Sequence, residues 1–116
     1  MKLIKYTPDA ADKIRSINRS LLMQYGSLTA KKIVGKITSA IRGLSENEHK
    51  GPSVEKMFGI ESDYRYIFVA HNYVFYKVEN TCIRIINVYN EKEDFMQLLF
   101  GIDTTPKETL DYWGEN

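Results

Sequence analysis

The chain has 116 residues, of which 43% are hydrophobic and 27% charged, and it carries a formal net charge of +1. This length suits one domain with a single core, and the composition is ordinary for a soluble globular protein. No run approaches the roughly 20 apolar residues that a membrane-spanning helix needs, and no basic-then-apolar leader opens the chain. We therefore expect a cytoplasmic protein with no membrane partner.

The cysteine and histidine content argues against a metal or cofactor site. Cys82 is the only cysteine, so an intramolecular disulfide is excluded and a thiol-based metal site has no basis. It lies in an apolar strand pattern, which is typical of a small buried hydrophobe. Nucleophilic catalysis would require a nearby base, but His49 and His71 fall in predicted loop or turn positions. We expect no metal and no cofactor.

Charge is distributed unevenly along the chain. Residues 1–56 contain 11 Lys and Arg against 5 Asp and Glu, whereas residues 57–116 contain 5 against 10. A basic first half could face phosphates or an acidic partner. Equally, its lysines could do no more than solvate helix faces, and the composition leaves both readings open.

The chain begins with a predicted strand and two helices. Residues 2–6 alternate polar and apolar, which indicates a short strand. Thr7 can cap a helix, Pro8 suits its first position and Gly26 ends it, and Ser27 can cap a second helix. Apolar residues recur at spacings of three and four along one face of each helix: Ala11, Ile14, Ile17 and Leu21, then Ala30, Ile33, Val34, Ile37, Ile41 and Leu44. The short connection predicts an antiparallel helical hairpin that needs a surface to cover.

Four strands are predicted after the polar loop of residues 46–53. They span Val54–Ile60, Tyr64–Ala70, Tyr73–Val78 and Cys82–Tyr89, with tight turns at His71-Asn72 and Glu79-Asn80. The last strand is almost continuously apolar, so we expect it to be central and buried on both faces.

A short helix and a polar segment are predicted at the end of the chain. Asn90 can cap the helix while Glu93 reaches back to its backbone, and Gly101 stops it. Residues 1–102 are thus predicted to form one domain and residues 103–116 a polar tail, mobile or bound to a partner. We expect the Tyr112-Trp113 pair in that tail to pack on the body.

The element order is β-α-α-β-β-β-β-α, which predicts an α+β fold with the helical hairpin on one face of a mainly antiparallel, twisted sheet. Residues 2–102 in this order resemble the RelE/ParE family of bacterial type II toxins. The resemblance is carried by Tyr64-Arg65-Tyr66-Ile67, by Tyr73-Val74-Phe75-Tyr76 and by the segment from Ile85 to Gly101. It implies the toxin of a toxin–antitoxin system, with growth inhibition, plasmid stabilisation and a cognate antitoxin as expectations.

The end of the last strand departs from the pattern of the nuclease branch. Members often close this strand with Ile-x-Arg-Val-Leu-His-x-Arg-Arg-Asp, and the present chain keeps Ile85, Val88 and Asp94 of that pattern. It has Asn87, Asn90 and Glu93 where the pattern has arginine, histidine and arginine, while Lys92 retains a positive charge. The apolar positions of the pattern are therefore kept, whereas most of its basic residues are replaced.

A RelE-like branch would imply a ribosome-dependent mRNA endoribonuclease. Its catalytic candidates are Arg65 and Arg84 for phosphate charge, Tyr89 for stacking or proton donation, and Lys92 for further charge; Lys50 and Lys56 flank a loop where ribosome-acting members often place lysines. Glu91 and Glu93 would repel a scissile phosphate. At about 4 Å and an effective dielectric of about 20, one such contact costs roughly 4 kcal/mol, or about a thousandfold in rate.

A ParE-like branch fits the departures better, and it implies growth inhibition by protein contact, with DNA gyrase as the associated target. The antitoxin is then expected on the basic hairpin at Lys31, Lys32 and Lys36. A third hypothesis is a decayed member that only binds its antitoxin. In the non-catalytic readings Arg65 is a structural residue paired with Glu61, Asp63 or Glu79, and Arg84 points to solvent.

Overall fold

The computed structural model describes residues 1–102. Its elements are β1 (Leu3–Tyr6), α1 (Pro8–Tyr25), α2 (Ser27–Gly43), α3 (Val54–Phe58), β2 (Tyr64–Val69), β3 (Asn72–Val78), β4 (Cys82–Asn90) and α4 (Phe95–Phe100). The α+β class and the helical hairpin on one face of a mainly antiparallel sheet are confirmed. The expectation for Tyr112-Trp113 falls outside the described residues.

The sheet has the strand order β1-β4-β3-β2. β1 runs parallel to β4, while β4 with β3 and β3 with β2 are antiparallel. β4 is therefore central, as its apolar sequence predicted. Phe75 pairs with Asn87 but Tyr76 pairs with Ile85, so Ile86 is an extra residue that forms a β-bulge.

One face of the sheet packs under the helical hairpin. Because α1 and α2 each carry one apolar stripe, they bury it together against the strands. The fully buried residues of this layer are Ala10, Ile37, Ile41, Leu44, Val74, Tyr76, Ile83, Ile85 and Val88. The bulge at Ile86 shifts the side-chain alternation by one, which is why Val88 joins Ile83 and Ile85 on this side.

The opposite face of the sheet carries an aromatic cluster beneath α3 and α4. Its rings are Phe58, Tyr64, Tyr66, Tyr73, Phe75, Tyr89, Phe95 and Phe100. The ring centroids of Phe75 and Phe95 lie 5.1 Å apart, and those of Phe58 and Phe95 lie 5.4 Å apart. These distances fall in the range that favours tilted and edge contacts between rings. The aromatic residues of the second half of the chain thus hold the two short helices on the sheet.

The predicted strand Val54–Ile60 is wrong, because residues 54–58 form α3. Ser53 caps this helix by accepting a hydrogen bond from the Lys56 N–H, and Gly59 ends it in the left-handed conformation at φ 69°. Val54 and Phe58 are four residues apart, so one turn of helix points both side chains at the aromatic cluster. Capping at both ends thus outweighed the strand-like composition.

Two predicted boundaries near tight turns also move. α4 begins at Phe95 with Asp94 as its cap, not after Asn90. The expected bond from Asn90 N–H to Glu93 Oε1 does form, at 2.9 Å, but it closes a separate turn before the helix. The first hairpin turn is Ala70-His71, one residue earlier than predicted, with φ values of 50° and 64°. Two positive φ values give the mirror-image turn whose twist matches paired strands.

The loop of residues 45–53 is fastened to the sheet by Tyr76. The buried hydroxyl of Tyr76 donates to the Glu48 carbonyl at 2.8 Å and accepts from the Gly51 N–H at 3.0 Å. A Cβ at Gly51 would lie 2.0 Å from the carbonyl oxygen of Tyr66, so only glycine fits there. The Tyr66 N–H also donates to the Pro52 carbonyl at 3.2 Å, which covers part of the outer edge of β2.

We predict that Tyr76→Phe lowers the free energy of unfolding by about 2 kcal/mol, because it leaves the Gly51 N–H without its partner. Urea denaturation followed by circular dichroism measures this change. Tyr64→Phe is the matched control, since no hydrogen bond of its hydroxyl exists within residues 1–102, and it should change stability by less than about 0.5 kcal/mol. Equal losses in the two variants would contradict the fastening role of Tyr76.

Candidate functional site

Arg65 lies on the hairpin side of the sheet and holds the loop of residues 45–53. It pairs in register with Tyr76, and its neighbours Ile67 and Val69 on alternate positions pack against the helix-side core. Its Nη1 donates to the Gly51 carbonyl at 2.6 Å. The residue is thus structural, but its partner is a backbone carbonyl and not Glu61, Asp63 or Glu79, as the sequence suggested.

Arg84 lies on the opposite face of the sheet and pairs with Glu79. Arg84 Nε lies 2.9 Å from Glu79 Oε2, and Arg84 Nη2 lies 3.1 Å from Glu79 Oε1. These hydrogen bonds from Arg84, together with one from the Cys82 thiol, hold the pKa of Glu79 below its ordinary value. Arg84 is therefore engaged in a two-pronged ion pair at the surface of the sheet.

Tyr89 shares the face of Arg84 but is buried. Its hydroxyl accepts a hydrogen bond from Asn87 Nδ2 at 3.1 Å, and the Lys13 ammonium lies 5.2 Å from the centre of its ring. Burial raises the pKa of Tyr89, and the bond from Asn87 offsets only part of that effect. A tyrosine with a raised pKa is a weaker proton donor, so this environment does not favour acid catalysis.

Lys92 and the two glutamates beside it belong to the turn between β4 and α4. Lys92 is exposed, and its backbone N–H donates to Asn90 Oδ1 at 3.0 Å. Glu93 Oε2 lies 2.6 Å from Lys13 Nζ, and Glu91 Oε1 lies 3.1 Å from His71 Nδ1. Lys13 compensates the charge of Glu93, so the repulsion expected for an unpaired carboxylate is reduced at that position. Sequence reasoning missed Lys13 because it lies 80 positions away from its partner.

The four nuclease candidates do not converge on one point. Arg65 projects to the hairpin side of the sheet, while Arg84 and Tyr89 project to the other side. Strand residues of opposite parity point to opposite faces, so one phosphate cannot contact both guanidinium groups across the sheet. Within residues 1–102 the four candidates therefore form no single composite site.

The outer surface of the helical hairpin carries an open groove. It has a volume of about 530 Å³ and runs between α1 and α2, with apolar walls from Ile14, Leu22 and Val34. Gly35 lines the groove without a side chain, and nothing lies within 4 Å of where its Cβ would be, so the groove is open at this position. A neighbouring groove of about 670 Å³ runs along the other side of α2 towards Val69. The two grooves meet at Lys31 and Gly35.

The three predicted antitoxin-binding lysines lie around these grooves. Lys31 lines both grooves, and Lys32 and Lys36 line the second. All three are exposed, and none has a carboxylate within 4 Å among residues 1–102. Cationic side chains around an apolar groove can accept an amphipathic segment that carries acidic flanks.

Two negative findings concern the described part of the chain. Within residues 1–102, no three His, Cys, Asp or Glu side chains are grouped so that they could hold a metal ion. No helix in that range combines the length and hydrophobicity that crossing a bilayer requires.

Comparison with known proteins places these features in context. The family described as the ParE toxin of the type II toxin–antitoxin system parDE matches residues 4–95. Among solved structures, the chromosomal ParDE toxin–antitoxin system from P. aeruginosa is similar with a TM-score of 0.65 and 19% identity, over 78% of this chain and 96% of that one. The E. coli DinJ-YafQ toxin–antitoxin complex is similar with a TM-score of 0.49 and 16% identity, over 78% and 92%. No curated protein matches.

We predict that Gly35→Ala raises the free energy of unfolding by about 1 kcal/mol. Alanine is the better helix former, and its methyl group meets only open space at this position. Thermal unfolding measures the change. Gly26→Ala is the matched control because Gly26 has φ 89°, so the same chemical change should destabilise there. Destabilisation by Gly35→Ala would mean that the groove floor is more crowded than described.

The Glu79–Arg84 pair should produce a defined pH dependence. Since the pKa of Glu79 is depressed in the folded state, its contribution to stability is present above the unfolded pKa and is lost as the pH falls through the folded one. We predict that Arg84→Gln is less stable than the parent at neutral pH and that this difference shrinks on acidification below the ordinary range of glutamate. Urea unfolding across pH tests this. A difference that does not vary with pH would contradict it.

Proposed function

The chain belongs to the family of ParE toxins of type II toxin–antitoxin systems, and we propose that it stops bacterial growth in the cytoplasm by binding a protein target without cutting RNA. A cognate antitoxin would neutralise it. Membership in the toxin family supports the growth inhibition and the neutralising antitoxin, since the family is described as the toxin of a toxin–antitoxin system.

The observation that carries the non-nuclease part is the separation of Arg65 from Arg84 and Tyr89 on opposite faces of the sheet. A ribonuclease needs cations and a proton donor gathered around one phosphate. Here the first arginine supports a loop, the second is paired with Glu79 and the tyrosine is buried. The proposed target is DNA gyrase, which is the target associated with ParE members, and it would be inhibited by contact.

The proposed antitoxin site is the outer surface of the hairpin around Lys31, Lys32 and Lys36. This surface offers two adjoining grooves bordered by these three lysines, and none of the three has a carboxylate within 4 Å in the described chain. A helix with apolar residues at spacings of three and four could fill the groove with its apolar face. Acidic residues at the border of that face could pair with the lysines. A partner of this kind is typical of an antitoxin segment that folds on binding.

We predict that induced expression in a bacterial host stops growth while mRNA remains uncut, and that micromolar protein inhibits supercoiling by purified gyrase. Arg84→Gln and Tyr89→Phe should keep this toxicity, because neither side chain would act in catalysis. Translation-dependent cuts within codons, lost in these variants together with toxicity, would overturn the proposal in favour of a RelE-like nuclease. Absence of any growth defect would favour a member that only binds its antitoxin.

The antitoxin site has a separate test. The triple change of Lys31, Lys32 and Lys36 to Glu should weaken binding to the antitoxin encoded in the neighbouring reading frame by about a hundredfold, since three attractive contacts become repulsive. Isothermal titration calorimetry measures the affinity. The matched control reverses three exposed lysines elsewhere, Lys50, Lys56 and Lys92, and so has the same net charge. Equal losses in both triple variants would contradict a site on the hairpin.

A further inference from the structure

The turn of the helical hairpin is surrounded by exposed apolar side chains. α1 ends at Tyr25 and α2 begins at Ser27, so Gly26 alone connects them. Four of the eleven exposed large hydrophobic residues within residues 1–102 fall at this turn: Leu22, Met23, Tyr25 and Leu28, which are 45%, 84%, 64% and 85% exposed. Single exposed hydrophobic residues are common on proteins, whereas a patch of them marks an interaction site. We call these four residues the hairpin tip.

The hairpin tip projects beyond the helix-side core of the described chain. The last residue of α1 that packs in this core is Ile17, and Tyr25 follows eight positions later. At a rise of about 1.5 Å per residue, α1 extends roughly 12 Å past that contact. Gly26 turns the chain with φ 89°, and nothing lies within 4 Å of where its Cβ would be. The tip is thus an open projection formed by two helix ends.

The charge around the hairpin tip is of one sign. Residues 13–45 contain seven Lys and Arg but no Asp or Glu. The cations nearest to the tip in sequence are exposed, and none has a carboxylate within 4 Å in the described chain: Arg19, Lys31 and Lys32. A partner that carries carboxylates beside an apolar pocket would therefore complement both the cations and the apolar side chains.

We infer that the hairpin tip is the surface with which this protein engages the protein that it inhibits, and that the tip enters an apolar pocket bordered by acidic side chains. The inference rests on the proposed function, because it takes the target to be a protein. Met23, Tyr25 and Leu28 line neither of the hairpin grooves, so the tip is separate from the proposed antitoxin site. Tyrosine, methionine and arginine are among the residue types enriched at protein interfaces.

Other occupants fit the hairpin tip less well. A second copy would bring its own cations, such as Arg19, against those of the first, and like charges repel. A nucleic acid would contact the cations but leave Met23 and Leu28 without an apolar partner. A lipid surface would have to accept the exposed polar side chains of Gln24 and Ser27 between the apolar ones, at a cost in desolvation. A protein pocket can supply apolar walls, carboxylates and hydrogen-bond partners together.

The test compares two double variants of the full chain. Met23→Ser with Leu28→Ser, the tip variant, removes the most exposed part of the hairpin tip, and Leu3→Ser with Met57→Ser makes the same chemical changes elsewhere. All four side chains are more than half exposed, so both variants should keep the parent's urea midpoint. We expect half-inhibition of supercoiling by purified gyrase to require about a hundredfold more of the tip variant, which should also lose growth arrest on induction. The control should stay within about threefold of the parent.

A charge reversal tests the acidic border of the pocket. Arg19→Glu should raise the half-inhibitory concentration by about tenfold, because an attractive contact becomes repulsive. Lys56→Glu changes the net charge equally but lies on α3, which packs on the opposite face of the sheet, so it should alter that concentration less than about twofold. Equal effects of the two reversals would reduce the charge dependence to general attraction and overturn the inference.

The remaining outcomes separate the inference from the proposed function. If the tip variant arrests growth and inhibits gyrase as strongly as the parent, the inference is overturned and the proposed function stands. A parent chain that does not arrest growth refutes both. Growth arrest lost only in the tip variant, with gyrase unaffected and no binding to phosphatidylglycerol vesicles, would support the tip and refute gyrase as the target. Vesicle binding by the parent that is lost in the tip variant, with gyrase unaffected, would overturn the inference in favour of a lipid surface.

Discussion

The fold depends on the burial of β4 on both faces and along both edges. β1 and β3 hydrogen-bond to its two edges, the helical hairpin covers one face and the aromatic cluster covers part of the other. β4 is apolar where it is covered, and the bulge at Ile86 places Val88 on the hairpin side together with Ile83 and Ile85. The start of α1 is fixed to it as well, because the Thr7 hydroxyl that caps α1 also donates to the Ile86 carbonyl at 2.7 Å.

The alternation of side chains along the strands also bears on function. It distributes Arg65 to one face and Arg84 to the other, and it places Tyr89 under the Lys13 ammonium on the second face. Each of these groups has a partner that explains it as part of the architecture. By contrast, the three exposed lysines on the hairpin grooves, Lys31, Lys32 and Lys36, have no carboxylate within 4 Å in the described chain. Within residues 1–102 the four nuclease candidates are thus not gathered at one point, and this arrangement supports the proposal that the protein acts by binding.

The sequence predicted those parts of the fold that are determined by local patterns. The two hairpin helices have clear apolar stripes, caps and stop signals, and β4 is almost continuously apolar, so their positions follow from local sequence patterns. α3 was missed because five residues give too little periodicity, and the information lay in the caps, Ser53 and Gly59. The start of α4 was misplaced because Asn90 and Glu93 satisfy the pattern of a capping box without starting a helix. The ion pair of Lys13 with Glu93 and the bond of Arg65 to Gly51 depend on tertiary approach, and no local pattern encodes them.

The loop of residues 45–53 has a consequence for self-association. Residues 52 and 53 cover part of the outer edge of β2, through the Tyr66–Pro52 hydrogen bond and the bridge between Ser53 and Arg65. At the other edge of the sheet, the Lys2 N–H donates to the Ser45 carbonyl just before β1 begins. One loop therefore shortens the open backbone of both edge strands. A shortened edge offers fewer hydrogen bonds to a second sheet, so the loop disfavours edge-to-edge association.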